Sequence, residues 1–265
     1  MSEPLLELRD VTVRFGGLKA VSDFNFSVHR RELAGLIGPN GAGKTTIFNL
    51  ITGVYRPTSG SILFEGKSVG GKKPYLITKR GIARTFQNIR LFGSMTVFDN
   101  VRAAFNMHLR HGIQHALWRG KGLAAEEARI EQEVGELLEI FHLEEVKDAA
   151  CTSLPYGDQR RLEIVRALAT RPKLILLDEP AAGMNPTEKT ELMELIRFVQ
   201  EKFEIAVLLV EHDMRVVMGI CQRIAAVDYG VKIAEGNPSE IKCDPVVIRA
   251  YLGVEDASSE SESSN

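Results

Sequence analysis

Eight consecutive residues constrain this chain more than any others: Gly38-Pro39-Asn40-Gly41-Ala42-Gly43-Lys44-Thr45. Glycines at this spacing let successive backbone N–H groups turn toward one point without a Cβ in the way. Leu33-Ala34-Gly35-Leu36-Ile37 reads as a buried strand leading in, and Thr46-Ile47-Phe48-Asn49-Leu50-Ile51 reads as a helix leading out. The positive end of that helix points at the same spot, so strand, turn and helix together make an anion site. The pattern G-x-x-x-x-G-K-[ST] is that of a loop that cradles nucleotide phosphates. Lys44 is placed to reach the β- and γ-phosphates, and Thr45 to offer its hydroxyl to Mg2+. The candidate nucleotide contacts are therefore Gly38, Pro39, Asn40, Gly41, Ala42, Gly43, Lys44, Thr45 and Thr46.

A second constellation lies far downstream, where the apolar run Leu174-Ile175-Leu176-Leu177 ends in Asp178-Glu179-Pro180. Ligands of open α/β sheets sit beyond the carboxyl ends of the strands. Asp178 is thus expected to face the Mg2+ held by Thr45, directly or through a water. Glu179, one residue further, is placed to polarise the attacking water as a general base. A third run, Ala206-Val207-Leu208-Leu209-Val210, precedes Glu211-His212-Asp213. Continuous apolar runs of this kind fit parallel strands covered on both faces.

The rest of the chain limits the architecture. Its 265 residues suit one large α/β domain with a subdomain. A net charge of −2 gives no reason to expect a nucleic-acid partner. Cys151, Cys221 and Cys243 share no metal or redox spacing and are expected to be small buried hydrophobes. No signal peptide and no apolar run long enough to span a bilayer are seen, so work at a membrane requires another chain to carry the spanning segments. A β-region opens the chain, with Phe24, Phe26 and Val28 alternating with Asn25 and Ser27. From Asn88 to Thr170 the pattern is mostly helical, and Ala124 to Phe141 carries Ile130, Val134, Leu137 and Leu138 at helical spacing. Glu188 to Phe203 is a further helix, with Leu192, Leu195, Ile196 and Val199 on its apolar side. Met107 to Gly122, basic and aromatic, reads as a solvated loop, with contact to a membrane surface or partner as the alternative. The Ser/Glu-rich tail, 254–265, is expected to be disordered.

Taken in order, these motifs resemble the ATP-binding subunit of an ATP-binding-cassette (ABC) transporter, over roughly residues 5–253. The resemblance implies an α/β phosphate-loop NTPase fold with an N-terminal antiparallel β-region and an inserted helical subdomain. It places the nucleotide core at 1–87 and 171–253 and the helical lobe at 88–170. It further implies that Phe15 stacks on adenine, and that Gln87 contacts Mg2+ and the attacking water and senses the transmembrane partner. His212 would contact the γ-phosphate. Leu154 to Leu162 fits the signature segment, in which Gly157 completes the ATP site of a second cassette. Ala182-Gly183-Met184-Asn185-Pro186 fits the segment that crosses the dimer interface.

Some positions depart from the family pattern. The signature is usually Leu-Ser-Gly-Gly-Gln; here Pro155 replaces serine, Tyr156 the first glycine and Asp158 the glutamine. Gly157 and the N–H-rich start of the next helix still form an anion site. Asn185 stands where the family usually has aspartate; this leaves open whether polar contacts across the dimer are altered or kept, since an amide can still both donate and accept. Tyr156 to Ile164, Arg14 to Val21 and Val247 to Gly253 are similar to the larger ATP-binding subunit of branched-chain amino acid importers. Urea or amide importers and lipopolysaccharide-extracting ATPases share much of this pattern, and a soluble non-transport cassette protein is the more distant alternative. The implied partners are transmembrane permease subunits, a second ABC ATPase subunit and, indirectly, a substrate-binding protein. The implied location is the cytoplasmic face of the cell membrane.

Overall fold

A computed structural model describes residues 3–105, 107 and 121–252; of residues 121–124 it describes the backbone only. Met107 apart, most of the basic aromatic segment therefore lies outside the described residues, as does the Ser/Glu tail. Two sheets organise the chain. The first is antiparallel, with order β2-β1-β4-β5, from β1 (Leu6–Phe15), β2 (Leu18–Val28), β4 (Ser59–Phe64) and β5 (Lys67–Ser68). The period-two pattern of its sequence is real burial: Phe24, Phe26 and Val28 turn inward and Asn25 outward.

The second sheet has six strands in the order β10-β9-β3-β8-β7-β6. Its members are β3 (Leu33–Ile37), β6 (Ile82–Arg84), β7 (Leu174–Asp178), β8 (Ala206–Val210), β9 (Arg223–Asp228) and β10 (Val231–Gly236). All neighbours except the β9–β10 pair run parallel. Every residue of β3, β7 and β8 is buried, as expected of central strands covered on both faces. Because β3, β7 and β8 are adjacent and parallel, their carboxyl ends emerge side by side, which brings the phosphate loop, Asp178-Glu179 and Glu211-His212 to one edge.

Helices fill the connections. α1 (Lys44–Ile51) follows the phosphate loop, and α2 (Pro74–Lys79) precedes β6. Between β6 and β7 the described residues are mainly helical, with α3 (Val97–Phe105), α4 (Lys121–Ile140) and α5 (Tyr156–Leu168) packing around Val101, Val134, Leu138 and Leu162. α6 (Pro186–Lys202) buries Leu192, Ile196 and Val199 against the sheet, and α7 (Met214–Ile220), α8 (Pro238–Cys243) and α9 (Pro245–Leu252) complete the chain. Helix α6 starts at Pro186, two residues before the position expected from periodicity, because Asn185 caps it. Its side chain accepts from the N–H groups of Thr187 and Glu188 while Glu188 accepts from the Asn185 N–H. Cys151 and Cys221 are buried as expected, but Cys243 is exposed at the end of the short α8.

Candidate functional site

The phosphate loop is shaped by glycines in conformations closed to other residues. Gly38 has φ 153° and Gly43 φ 103°; a Cβ on Gly38 would meet the Val227 carbonyl at 2.1 Å, and one on Gly43 the Ala20 carbonyl at 2.9 Å. Both positions are therefore fixed by crowding as well as by conformation. The Lys44 ammonium, buried, donates to the carbonyls of Gly38 (2.6 Å) and Pro39 (2.8 Å). Burial holds its pKa below the ordinary value, opposed by the nearby charges of Glu179 and Asp178. Thr45, at the first turn of α1, is exposed and Thr46 partly so. The loop is braced from behind: the Gly230 N–H donates to the Ala42 carbonyl (2.8 Å), and the Gly38 N–H donates to the Tyr251 hydroxyl of α9 (2.9 Å).

Three candidate residues converge at the end of β7. The Gln87 amide donates to Glu179 Oε2 at 2.7 Å, and His212 Nδ1 lies 3.7 Å from the same oxygen. Glu179 itself has φ 45°, in the left-handed region that glycine favours, and its N–H donates to the Val210 carbonyl (2.9 Å). The neighbouring parallel strand thus fixes the backbone from which this carboxylate projects. Asp178 is buried and pairs with Arg84, whose Nη2 lies 2.7 Å from Asp178 Oδ2. Phe15 is half-exposed, with its ring edge-on to Tyr55 at a centroid distance of 4.9 Å.

Gly157 lies in the first turn of α5, which Pro155 precedes at the N-cap position. A Cβ there would meet nothing within 4 Å, so the signature turn presents an open backbone surface. Tyr156 reaches across to the loop between β7 and α6, donating to the Ala182 carbonyl at 3.1 Å.

Several groups that hold this arrangement were not evident from sequence. Arg160 and Glu163, on successive turns of α5, form an ion pair (2.7 Å) with both side chains 1% exposed. Arg160 also donates to the carbonyls of Phe86 (2.7 Å) and Gln87 (2.8 Å), and Glu163 accepts from the N–H groups of Phe86 and Arg90. The loop carrying Gln87 is therefore clamped to the signature helix. Glu211, fully buried, accepts from the N–H groups of Ala181 (2.7 Å) and His212 (3.1 Å) and so ties the β7 and β8 ends together; burial pushes its pKa up. The backbone partners of Arg160 and Glu163 lie more than 70 positions away and Ala181 lies 30 positions from Glu211, so in a linear sequence all three look like surface residues and only the fold reveals them.

Among the described residues no cluster of three or more His, Cys, Asp or Glu side chains is arranged to hold a metal unaided. The oxygen donors available, the Thr45 hydroxyl and the Asp178 carboxylate, are of the hard type that suits Mg2+, which typically keeps waters and phosphate oxygens as its other ligands. The donor set therefore fits a cation that arrives with a nucleotide.

Comparison with known proteins identifies the family. The ABC transporter family model matches residues 21–182, and a model of the branched-chain amino acid ATP-binding cassette transporter matches residues 231–257. The high-affinity branched-chain amino acid transport ATP-binding protein BraF of Pseudomonas aeruginosa is 42% identical over 253 residues, 96% of this chain and 99% of that protein. Its counterpart LivG of Escherichia coli K12 is 44% identical with the same coverage. The ADP conformation of MJ1267, an ATP-binding cassette of an ABC transporter, superposes with a TM-score of 0.82 at 30% identity, covering 96% of this chain and 100% of that one. With a phosphate loop and acidic strand end on one sheet edge and relatives matching along nearly its whole length, the chain belongs to the ABC transporter family, as one of its ATP-binding cassettes.

Proposed function

We propose that this chain hydrolyses MgATP to drive import of branched-chain amino acids, working in a pair of cassettes bound to membrane permease subunits at the cytoplasmic face. The observation that carries the catalytic reading is the convergence of Gln87, Glu179 and His212 beyond the ends of β7 and β8. Glu179 takes the proton of the attacking water. Gln87, bonded to it, orients that water, and His212 donates to the γ-phosphate. Lys44 and the N–H groups from Gly38 to Thr46 hold the phosphates, and Phe15 offers its exposed face to adenine. Thr45, Asp178 and Gln87 would hold Mg2+, which when bound would neutralise phosphate charge as it develops. The open turn at Gly157 suits close approach by the nucleotide of a second cassette, and Asn185, busy capping α6, has its side-chain oxygen engaged within its own chain.

Between the core and the helical lobe runs a cavity of about 350 Å³, lined by Phe86, Phe92, Glu163 and Arg166 among others. Lined by Phe86, the neighbour of Gln87 in the chain, it suits a cytoplasmic segment of the permease, with residues 88–170 moving as a lobe. No helix among the described residues is long and apolar enough to cross a membrane, so the transport path belongs to those partners. The substrate class rests on the C-terminal family match and on the names of the relatives above. Reconstitution with the permease subunits and substrate-binding protein in vesicles tests it. ATP-dependent leucine uptake that unlabelled isoleucine and valine suppress is expected; uptake of urea but not leucine would refute the assignment.

A further inference from the structure

Arg84 joins the two halves of the nucleotide site. It ends β6, three residues before Gln87, and its side chain is 9% exposed. Its Nη2 donates to Asp178 Oδ2 at 2.7 Å, while Nη1 donates to Asn49 Oδ1 (2.7 Å) and Thr52 Oγ1 (3.2 Å). Asn49 lies on α1, the helix that begins at the phosphate loop, and Thr52 is its C-cap. The rings of Phe48 and Phe86 lie 5.6 and 5.2 Å from the guanidinium carbon. One planar fork thus spans from the acidic end of β7 to α1, and aromatic rings restrict its movement. Lysine could not reproduce this, since an ammonium is a point charge on a flexible stem.

We propose that Arg84 is a positioning residue for the cation site, holding Asp178 by Oδ2 so that Oδ1 is the oxygen turned toward a cation at Thr45. The proposal rests on reading Asp178 as a metal ligand. Without the fork, the carboxylate is free to rotate and to engage a cation with either oxygen. Groups that orient a metal ligand from behind typically matter 10- to 100-fold in metal affinity or activity.

Arg84→Lys and Arg84→Met test this with two readouts. The first is Mn2+ affinity of the protein saturated with a non-hydrolysable ATP analogue, read by electron paramagnetic resonance. The second is turnover at saturating MgATP, separated from KM. Arg84→Lys, which keeps the charge, is expected to weaken Mn2+ binding about tenfold and lower kcat about 10- to 100-fold, with KM for ATP within about twofold of wild type. Asn49→Ala removes one anchor of the fork from the partly exposed side of α1 and is expected to act in the same direction more weakly. It decides the matter should the Arg84 variants not fold. Mn2+ affinity within about twofold of wild type in these variants, with only the melting temperature lowered, would overturn the proposal and leave Arg84 a structural ion-pair partner. Asp178→Ala separates the two levels: if it leaves Mn2+ affinity unchanged, the metal-ligand reading itself is wrong.

Discussion

Breaking the buried pair between Arg160 and Glu163 is expected to be costly in a specific way. Both side chains are 1% exposed, so Glu163→Leu strands a guanidinium that water cannot reach. Removing one partner of such a pair typically costs about 3–5 kcal/mol. For a chain of this size each kcal/mol lowers the melting temperature by about 2–4 °C, so a drop of about 6–20 °C is expected. Arg160→Met should fall in a similar range, because it strands the Glu163 carboxylate and orphans the carbonyls of Phe86 and Gln87. The double variant removes both charges but still leaves the backbone groups of the Gln87 loop without their partners. It should therefore be destabilised, yet by about 0.5–3 kcal/mol less than the sum of the singles. Differential scanning fluorimetry without nucleotide measures all three. Singles that shift the transition by less than about 2 °C, or a strictly additive double, would show that the pair is hydrated in solution and does not clamp the loop.

Other expectations concern the site itself. Glu179→Gln keeps the hydrogen-bonding shape but cannot take a proton, so ATP binding should persist while turnover falls about 10²–10⁴-fold; near-wild-type hydrolysis would remove Glu179 as the base. Lys44→Ala deletes the buried ammonium inside the phosphate loop, and titration calorimetry should show severely weakened ATP binding with no hydrolysis; unchanged affinity would mean the loop is not the phosphate site. Gly157→Asp adds a side chain where nothing lies within 4 Å, so the fold and the monomer's ATP affinity should survive. ATP-dependent dimerisation on size exclusion and ATPase activity should be lost, and retention of both would show that Gly157 does not approach a partner's nucleotide.

What could be read from the sequence was what repeats along it. Period-two alternation gave the inward face of β2, and unbroken apolar runs gave β3, β7 and β8 because parallel central strands have no polar face. The phosphate loop was legible because glycine spacing is itself a conformational statement. Asn185 was a subtler case. The family pattern directed attention to its place at the dimer interface, and its second role, as the cap that opens Asn-Pro-Thr-Glu, emerged from the structure. Arg84, Arg160, Glu163 and Glu211 were invisible for a different reason. Each draws its meaning at least in part from partners brought close by the tertiary fold, and no local pattern distinguishes a buried charge from a solvated one. The strands β9 and β10 and the contact of Tyr251 with Gly38 belong to the same class, since the first loop glycine meets a residue 213 positions away.

The left-handed backbone at Glu179 bears on how this cassette can be engineered. A residue with a Cβ held in that conformation costs on the order of 1 kcal/mol or more, and glycine or asparagine would relieve it. A library of variants ranked by heat tolerance alone would therefore enrich Glu179→Gly and Glu179→Asn, gaining robustness by discarding the carboxylate proposed above to take the proton. Selection for hardier versions of this protein has to be run under a growth requirement for transport, because at this position durability and turnover pull in opposite directions.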